Sequence, residues 1–305
     1  MRKIIIAGGS GFIGRKLCSH YLSKGFEVVV LTRKPSYEDV GVRFVHWNAK
    51  DLGTWQHELE GAELLINMNG RSVDCRYNEA NKKQIYDSRI MSTAILGAAI
   101  QELSDPPAVW LNSSSATIYR HAEDRQMDEV NGEIGSGFSV DVCKKWEAAF
   151  FNAKTLKTRK VALRISIVLG NNGGALKPLV NLTRLGLGGH QGKGSQFFSW
   201  VHETDLIRAI DFIKETDNIE GPVNIAAPNP ERNKKVMLLL RNSLGIHFGI
   251  PSPKWLLEIG AVFIKTETEL ILKSRNVIPS KLRDNGFVFE YNHLEKAFKS
   301  LVIKK

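Results

Sequence analysis

Three glycines near the N-terminus have the spacing of a phosphate-binding turn. Gly8, Gly11 and Gly14 follow the β-branched run Ile4–Ile6 and precede a segment with helical periodicity. Strand, glycine turn and helix in this order are typical of dinucleotide-binding folds, although the spacing differs by one residue from the common G-x-G-x-x-G. Gly8 would form the tight turn, Gly11 would let the backbone approach a pyrophosphate, and Gly14 would bring the helix close to the strand. We expect the phosphates on free N–H groups of the helix N-terminus, and the alternative is a glycine turn that is only structural. The predicted contact residues are Gly8, Ser10, Gly11, Phe12, Ile13 and Gly14.

Cations, and no acid, follow the second predicted strand. Thr32, Arg33 and Lys34 occupy the position where a protein that prefers the unphosphorylated cofactor usually has a carboxylate for the ribose hydroxyls. A guanidinium can bind a 2′-phosphate through two hydrogen bonds at once, so the segment favours NADP(H) over NAD(H). The alternative is an Arg-Lys pair on the surface at a strand end. Asp51 and Leu52 follow the third predicted strand, where they would contact the adenine or only cap a helix.

Short apolar runs alternate with helical segments through the first half of the chain. This alternation predicts right-handed β-α-β crossovers and an α/β fold, a doubly wound parallel sheet of the Rossmann type. Between 170 and 203 glycines are frequent, which suits loops over a binding cleft, and 231–305 reads as a smaller helical unit. Predicted strands cover 3–7, 27–31, 42–47, 62–68, 108–112, 160–169 and 221–227, and predicted helices cover 12–24, 79–103, 138–153 and 204–214.

The composition excludes several classes of protein. No run of about 18 apolar residues exists, which argues against a membrane span. The chain enters a strand at once, so we expect no signal peptide. The three cysteines are scattered, which suggests neither a metal site nor a disulfide framework and favours the cytoplasm. The net charge of +10 is dispersed and is attributed to solvated surface, with a few phosphate-directed cations, and not to nucleic-acid binding. The composition leaves oligomerisation open.

Segments along nearly the whole chain combine with the glycine turn GGSGFIG into a family pattern. They are Asp51-Leu52, Asn67–Gly70, Ser88-Arg89, Ser113–Tyr119, Lys145–Glu147, Val168–Gly170, Gly173–Leu176, Leu185–Gly189, Gly192–Gly194, Phe198–His202, Asp205, Val277–Pro279, Leu282 and Gly286-Phe287. Together they resemble the extended short-chain dehydrogenase/reductases, whose familiar members are nucleotide-sugar epimerases. Within that group the chain is similar to the atypical branch usually named "epimerase family protein". The stretch rich in glycine, tryptophan and histidine is more specific than the N-terminal turn.

The resemblance implies a Rossmann domain that binds NADP(H) and a small C-terminal substrate lobe. On this basis we expect a cofactor domain at 1–169, to which 204–228 returns, and a substrate lobe made of 170–203 and 229–305. Members of the branch are thought to be oxidoreductases or epimerases. Related plastid and cyanobacterial proteins are linked to division-site placement, so a non-metabolic role stays open. The cofactor would also contact residues after the fourth strand and on the following helix, namely Met68, Asn69, Gly70 and Arg89.

The catalytic pair of the resembled family is missing. Those enzymes use a Ser, a Tyr and a Lys four residues after the Tyr, and Ser115 matches the serine. Aligning on Trp146-Glu147 puts Ser139 in the tyrosine position and Cys143 in the lysine position. A serine hydroxyl is far too weak an acid to replace a phenol.

Other side chains would then have to transfer the proton. The candidates are Tyr119, His202 and Lys144, and His202 has the pKa range suited to acid–base work near neutrality. Its alternative role is that of a hydrogen-bonded structural histidine before the helix at 204. Arg76 and Arg164 would clamp an anionic substrate, or form ordinary ion pairs.

Two hypotheses follow. The first is an NADP(H)-dependent oxidoreductase or epimerase-like enzyme with Ser115, His202 and Tyr119 as catalytic candidates and a small-molecule substrate, anionic or sugar-nucleotide-like. The second is a non-catalytic NADP(H)-binding protein that regulates a partner. Neither hypothesis calls for a metal, a nucleic acid or a membrane.

Overall fold

A central, mostly parallel sheet organises the fold. The computed structural model describes residues 2–171, 173–263 and 267–302. The strands, in chain order, are β1 (Lys3–Ala7), β2 (Glu27–Thr32), β3 (Tyr37–Asp39), β4 (Val42–His46), β5 (Leu64–Asn67), β6 (Val109–Ser115), β7 (Arg159–Ile165), β8 (Ile167–Gly170), β9 (Gly173–Gly174), β10 (Phe197–Phe198), β11 (Trp200–His202), β12 (Gly221–Ile225) and β13 (Glu231–Arg232). Eight of them form the main sheet in the order β12-β7-β6-β5-β1-β2-β4-β3. Neighbouring strands run parallel except β3 and β4, which are antiparallel.

Helices cover both faces of this sheet. The helices are α1 (Phe12–Ser23), α2 (Glu79–Gln101), α3 (Phe138–Phe151), α4 (Leu176–Leu182), α5 (Glu203–Glu215), α6 (Asn233–Leu244), α7 (Lys254–Phe263), α8 (Glu269–Leu272), α9 (Ser280–Asp284) and α10 (Leu294–Leu301). Successive side chains of a strand point to opposite faces of the sheet, so β1 contributes side chains to the apolar core on each face. Ile4 and Ile6 pack in one apolar cluster with α1 and α5, and Ile5 packs in a second with residues of α2 and α3.

A third apolar cluster lies in the second half of the chain. Trp200 of β11, Met237 of α6 and Phe298 of α10 are fully buried together. Strand β8 pairs with β11 in parallel and with β9 antiparallel, in a small sheet of its own. The predicted α/β fold of the Rossmann type, with a smaller helical C-terminal region, is confirmed.

Two differences from the prediction concern the strands of the first half of the chain. The strand predicted over 160–169 is wrong as one element, because the chain changes sheets at Ser166: β7 lies in the main sheet and β8 in the small one. The Ser166 hydroxyl donates to the Ile225 carbonyl at 2.9 Å, which fixes the break. Strand β3 was not predicted. Its three residues are exposed and show no apolar alternation, and its pairing with β4 defines it.

The glycine-rich segment also lies elsewhere than expected. Gly189 and Gly192 donate backbone hydrogen bonds to Ile250 and Ser252. A Cβ on Gly189 would come within 2.3 Å of the Pro251 nitrogen, so this glycine allows two backbones to pack together. Gly173 of β9 lies against the ring of Phe12, the first residue of α1 after the N-terminal glycine turn.

Candidate functional site

The glycine turn joins β1 to α1, and its glycines are needed for different reasons. Gly8 has φ +87°, and a Cβ there would lie 2.8 Å from the Met68 carbonyl carbon of the neighbouring strand end. A Cβ on Gly14 would lie 2.5 Å from the Gly9 Cα, so α1 rests directly on the turn. The fold itself therefore requires Gly8 and Gly14.

Gly11 is different, because the protein leaves room beside it. Its backbone, with φ −75° and ψ 177°, is open to any residue, and the nearest atom to an added Cβ is the Gly8 oxygen at 3.6 Å. Gly11 is the N-cap of α1 without a side-chain cap, so the helix begins with N–H groups that a bound anion could satisfy. Phe12 and Ile13 supply the first of these N–H groups.

An open cleft of about 670 Å³ lies beside this turn, and we call it the cofactor cleft. Its walls come from the carboxyl ends of β1, β2, β4 and β5 and from one face of α2, which is where open α/β sheets bind ligands. The lining residues are Gly8, Ser10, Gly11, Arg33, Trp47, Asn48, Ala49, Lys50, Met68, Asn69, Gly70, Arg71, Gln84, Asp87, Ser88 and Met91.

The cation segment after β2 contributes one side chain to the cleft. Arg33 lines the cleft and is exposed. Thr32 is buried, and its hydroxyl accepts the Lys34 backbone N–H at 3.3 Å. Lys34 is not among the lining residues. Of the three residues predicted together, Arg33 lines the cleft, and Thr32 and Lys34 form a hydrogen bond within the loop that follows β2.

The loop after β4 forms a wall of the cleft through residues that were not predicted. Asn48, Ala49 and Lys50 line it, and Ala49 has φ +62°. Asp51 accepts a hydrogen bond from Asn48 Nδ2 at 2.8 Å and, like Leu52, is absent from the lining. The adenine contact predicted for Asp51 and Leu52 stays a prediction. A turn-forming Asn directly after a strand was the available signal for Asn48.

A buried amide network holds the end of β5. Asn67 Nδ2 donates to Asn112 Oδ1 at 2.7 Å and to Thr93 Oγ1 at 3.1 Å, and Asn67 Oδ1 accepts the Asn69 backbone N–H. Ser113 donates to the Met68 sulfur at 2.8 Å. These bonds fix Met68, Asn69 and Gly70 on the cleft wall, where the sequence placed them.

Arg89 lies directly behind this wall. Its guanidinium covers Gly70, since a Cβ there would lie 3.0 Å from Arg89 Cζ. It donates to the Ile85 carbonyl at 3.2 Å and sits 5.1 Å from the Trp146 ring centroid. Burial lowers the pKa of Arg89, and no carboxylate of the described residues forms an ion pair with it. A cation in such surroundings favours an anion nearby.

Ser115 ends β6, and its hydroxyl accepts the Thr117 backbone N–H at 3.2 Å. On α3, Ser139 donates to Glu269 Oε2 at 2.9 Å. Cys143 is buried, and burial raises the pKa of its thiol to about 12, so it stays a thiol at neutral pH. Neither residue on α3 reproduces the tyrosine or the lysine of the resembled family.

Tyr119 lies in a buried polar network. Its hydroxyl donates to Asn224 Oδ1 and accepts from Arg164 Nη1, both at 2.9 Å, and the residue is 2% exposed. Arg164 in turn pairs with Glu147, N to O 2.7 Å. Burial lowers the pKa of Arg164, but the Glu147 hydrogen bonds outweigh it, so the net shift is upward and Arg164 stays charged. These contacts support a structural role for Tyr119 and the ion-pair alternative for Arg164.

Arg76 pairs with Glu267 at 3.5 Å, which supports the ion-pair alternative for this arginine too.

His202 is an N-cap. Its Nδ1 accepts the Thr204 backbone N–H at 3.0 Å, its Nε2 lies 3.2 Å from Ser300 Oγ, and its ring stacks on Tyr291 at 3.6 Å. Burial lowers the pKa of His202. The imidazole therefore has its partners in α5, Tyr291 and α10, and the geometry supports the structural alternative stated above.

A second cavity, of about 740 Å³, opens between the loops after β6 and the C-terminal region. We call it the Lys273 cavity, and its walls include Arg120, Ser136, Lys254, Glu269 and Lys273. The sequence singled out none of these residues, because they come from segments far apart in the chain and have no motif spacing.

The parallel sheet, the glycine turn and the cleft at its carboxyl edge define a Rossmann-type dinucleotide-binding protein. The chain belongs to the NAD dependent epimerase/dehydratase family, whose profile it matches over residues 4–226, and residues 252–301 match a domain of unknown function, DUF1731. It is therefore an NAD(P)-binding protein of the epimerase family. Within the described ranges no helix is long and apolar enough to cross a membrane.

Similar proteins cover the chain almost completely. An epimerase family protein of Staphylococcus epidermidis is 30% identical over 99% of both chains. The human epimerase family protein SDR39U1, in a crystal structure with NADPH, is 29% identical, covers 98% of both chains and has a TM-score of 0.87. A nucleoside-diphosphate sugar epimerase from Corynebacterium glutamicum is 27% identical with a TM-score of 0.77, over 98% of this chain and 58% of its own.

Proposed function

We propose that the protein is an NADP(H)-dependent oxidoreductase, or an epimerase-like enzyme, that acts on a small molecule. The observation behind this proposal is the position of Arg33, an exposed guanidinium on the wall of the cofactor cleft, after the strand that usually ends in the ribose-binding acid. The relative that was solved with NADPH supports the same cofactor.

The residues present fit NADP(H). Gly11 leaves the turn open, the N-terminus of α1 is uncapped by a side chain, and Arg33 offers a site for the 2′-phosphate. Met68, Asn69 and Gly70 would line the path towards the nicotinamide, with Arg89 behind them as a half-buried positive charge. When bound, the cofactor supplies a hydride donor or acceptor.

The substrate would bind in the Lys273 cavity. Its cations Arg120, Lys254 and Lys273 suit an anionic or sugar-nucleotide-like molecule. Ser115, at the end of β6, would orient the reacting oxygen.

A non-catalytic NADP(H)-binding protein is the second candidate function. Ser139 and Cys143 favour it, because a hydroxyl bonded to Glu269 and a thiol with a raised pKa replace the usual phenol and ammonium.

Calorimetry with NADPH, followed by incubation of short 2-oxo acids with NADPH and of UDP-sugars with NADP⁺, separates the two candidates. The enzyme hypothesis predicts binding together with a change in the absorbance of the reduced nicotinamide, or with chromatographic conversion of one UDP-sugar into another, since an epimerase returns its hydride and consumes no cofactor. Binding with neither change across the panel supports the second candidate. Absence of binding contradicts both.

A further inference from the structure

We propose that Lys50 is a second ligand of the 2′-phosphate of NADP(H), and that Lys50 and Arg33 together select the phosphorylated cofactor. The proposal rests on the proposed NADP(H)-dependent function and adds one specificity-determining residue to it. Arg33 comes from the loop that follows β2, and Lys50 comes from the loop that follows β4.

The ends of β2 and β4 lie side by side. The two strands are parallel neighbours in which Thr32 pairs with His46, and neighbouring strands are about 4.8 Å apart. The Trp47 N–H donates to the Thr32 carbonyl at 2.9 Å, and His46 Nδ1 lies 3.0 Å from the Lys34 carbonyl oxygen. The loops that follow the two strands therefore begin next to each other, at the edge of the cofactor cleft.

A closed turn shapes the loop after β4. Asn48 Oδ1 accepts the backbone N–H groups of Lys50 and Asp51, both at 2.9 Å, and Asn48 Nδ2 donates to Asp51 Oδ2 at 2.8 Å. Ala49 has φ +62°, a region that few non-glycine residues occupy. The Trp55 indole N–H donates to the Asp51 carbonyl at 3.1 Å, and the Trp55 side chain is buried. These bonds hold the backbone of Lys50 on the wall of the cleft.

The charges of Arg33 and Lys50 are available to a ligand. Both residues line the cofactor cleft and are exposed, and neither forms an ion pair with a carboxylate in the part of the chain that the structure describes. The acid on the cleft wall, Asp87, is paired with Lys83 at 2.6 Å. The adenosine side of the cleft therefore has two cations that an anion could neutralise.

The order of the strands indicates which anion this is. In folds of this type the pyrophosphate lies at the turn after the first strand, and the ribose hydroxyls lie at the end of the second. The sheet continues from β1 through β2 to β4, so the loop after β4 is the next wall beyond the ribose. A guanidinium can bind two oxygens of a 2′-phosphate, and the ammonium of Lys50 would add a point charge that needs no fixed orientation.

A contact between Lys50 and another part of the cofactor makes a different prediction. The adenine and the pyrophosphate are common to NADPH and NADH, so loss of such a contact would weaken both cofactors equally. Loss of a contact with the 2′-phosphate would weaken NADPH alone.

Titration calorimetry of the full protein with NADPH and NADH separates these cases. Lys50→Met keeps an unbranched side chain without the charge, and it should weaken NADPH binding roughly 5- to 10-fold while NADH changes less than about twofold. Lys50→Arg should retain most of the preference. Lys34→Met is the matched control, because Lys34 is a neighbouring cation that does not line the cleft. The double variant Arg33→Ala/Lys50→Met should bind the two cofactors with equal affinity.

Phosphorus NMR of the 2′-phosphate in bound NADP⁺ adds a readout that a purely structural effect would not change. A nearby cation favours the dianion, so the bound phosphate should have a pKa below its ordinary value of about 6. Lys50→Met should raise the midpoint of this titration by roughly half to one pH unit, and Lys34→Met should leave it unchanged. Circular dichroism checks that each variant is folded.

The outcomes distinguish this proposal from the proposed function. An unchanged NADPH-to-NADH affinity ratio or an unchanged phosphate midpoint in Lys50→Met overturns the proposal, while NADPH binding by the parent protein leaves the proposed function intact. Equal losses for both cofactors also overturn it, because they assign Lys50 to the adenine or the pyrophosphate. A parent protein that binds neither cofactor overturns the proposed function itself.

Discussion

His202 Nδ1 accepts the backbone N–H of Thr204 at 3.0 Å and so caps the N-terminus of α5. The bond is a structural role for His202 that involves no substrate, because it satisfies one of the N–H donors that a helix leaves unpaired at its start. The sequence alone left open whether His202 is catalytic or structural, and this bond supports the structural role.

Replacement of His202 distinguishes those roles. We expect His202→Ala to lower the free energy of unfolding by about 1 kcal/mol through loss of the cap, and His202→Asn, which can cap, to lower it less. NADPH affinity and any turnover should stay as in the parent protein. Urea unfolding and calorimetry measure these quantities. A fall in turnover of about 10²–10⁴ in His202→Asn, with stability retained, would instead assign the catalytic role.

The same histidine makes stability depend on pH. Burial lowers the pKa of His202 in the folded state, so near and below its ordinary pKa of about 6.5 the unfolded chain binds more protons than the folded protein. Stability should therefore rise as pH increases from about 5 to 7. Urea unfolding across this range should show a shallower rise for His202→Asn, and parallel curves for the two proteins would contradict the assignment.

Arg33 should determine the preference for the phosphorylated cofactor. Arg33→Ala is expected to weaken NADPH binding by roughly 1.5–3 kcal/mol, as for a charge-assisted hydrogen bond, and to leave NADH nearly unchanged. Lys34→Ala is the control, since Lys34 does not line the cleft. Titration calorimetry with both cofactors measures the difference. Equal losses for NADPH and NADH would remove Arg33 from the 2′-phosphate site.

Gly11 should be needed by the cofactor and not by the fold. A Cβ added at Gly11 meets no protein atom closer than 3.6 Å, so we expect Gly11→Val to fold and to lose NADPH binding. Gly8→Val, at φ +87° and 2.8 Å from Met68, should be strongly destabilised instead. Thermal unfolding and calorimetry separate the two effects. Retained NADPH affinity in Gly11→Val would show that the turn is structural only.

Tyr119 should contribute to stability. Tyr119→Phe removes the hydroxyl between Asn224 and Arg164 and leaves both polar groups short of a partner, which costs about 1–3 kcal/mol. NADPH binding and turnover should not change. Tyr37→Phe, on the exposed edge strand, controls for loss of a phenol. Loss of turnover without loss of stability in Tyr119→Phe would restore the catalytic role.

Local sequence determined the cofactor half of the molecule. The run Ile4–Ile6 alternates between two buried cores, and Gly8 and Gly14 occupy positions where a Cβ would collide with neighbouring backbone. Such constraints act between residues close in the chain or on adjacent strands, so spacing alone revealed the strand, the turn and the helix. Lys34 shows the limit, since it neighbours Arg33 in sequence and yet does not line the cleft.

Tertiary structure decided the surroundings of the candidate catalytic side chains. Ser139 of α3 donates to Glu269 of α8, and Tyr119 donates to Asn224 of β12, which are 130 and 105 residues away in the sequence. No local pattern encodes these contacts. His202 and Tyr119 have the right chemistry by residue type, but their partners are in α5, α10, β7 and β12. A side chain's chemistry is set by its neighbours in space, and long-range packing chooses those neighbours.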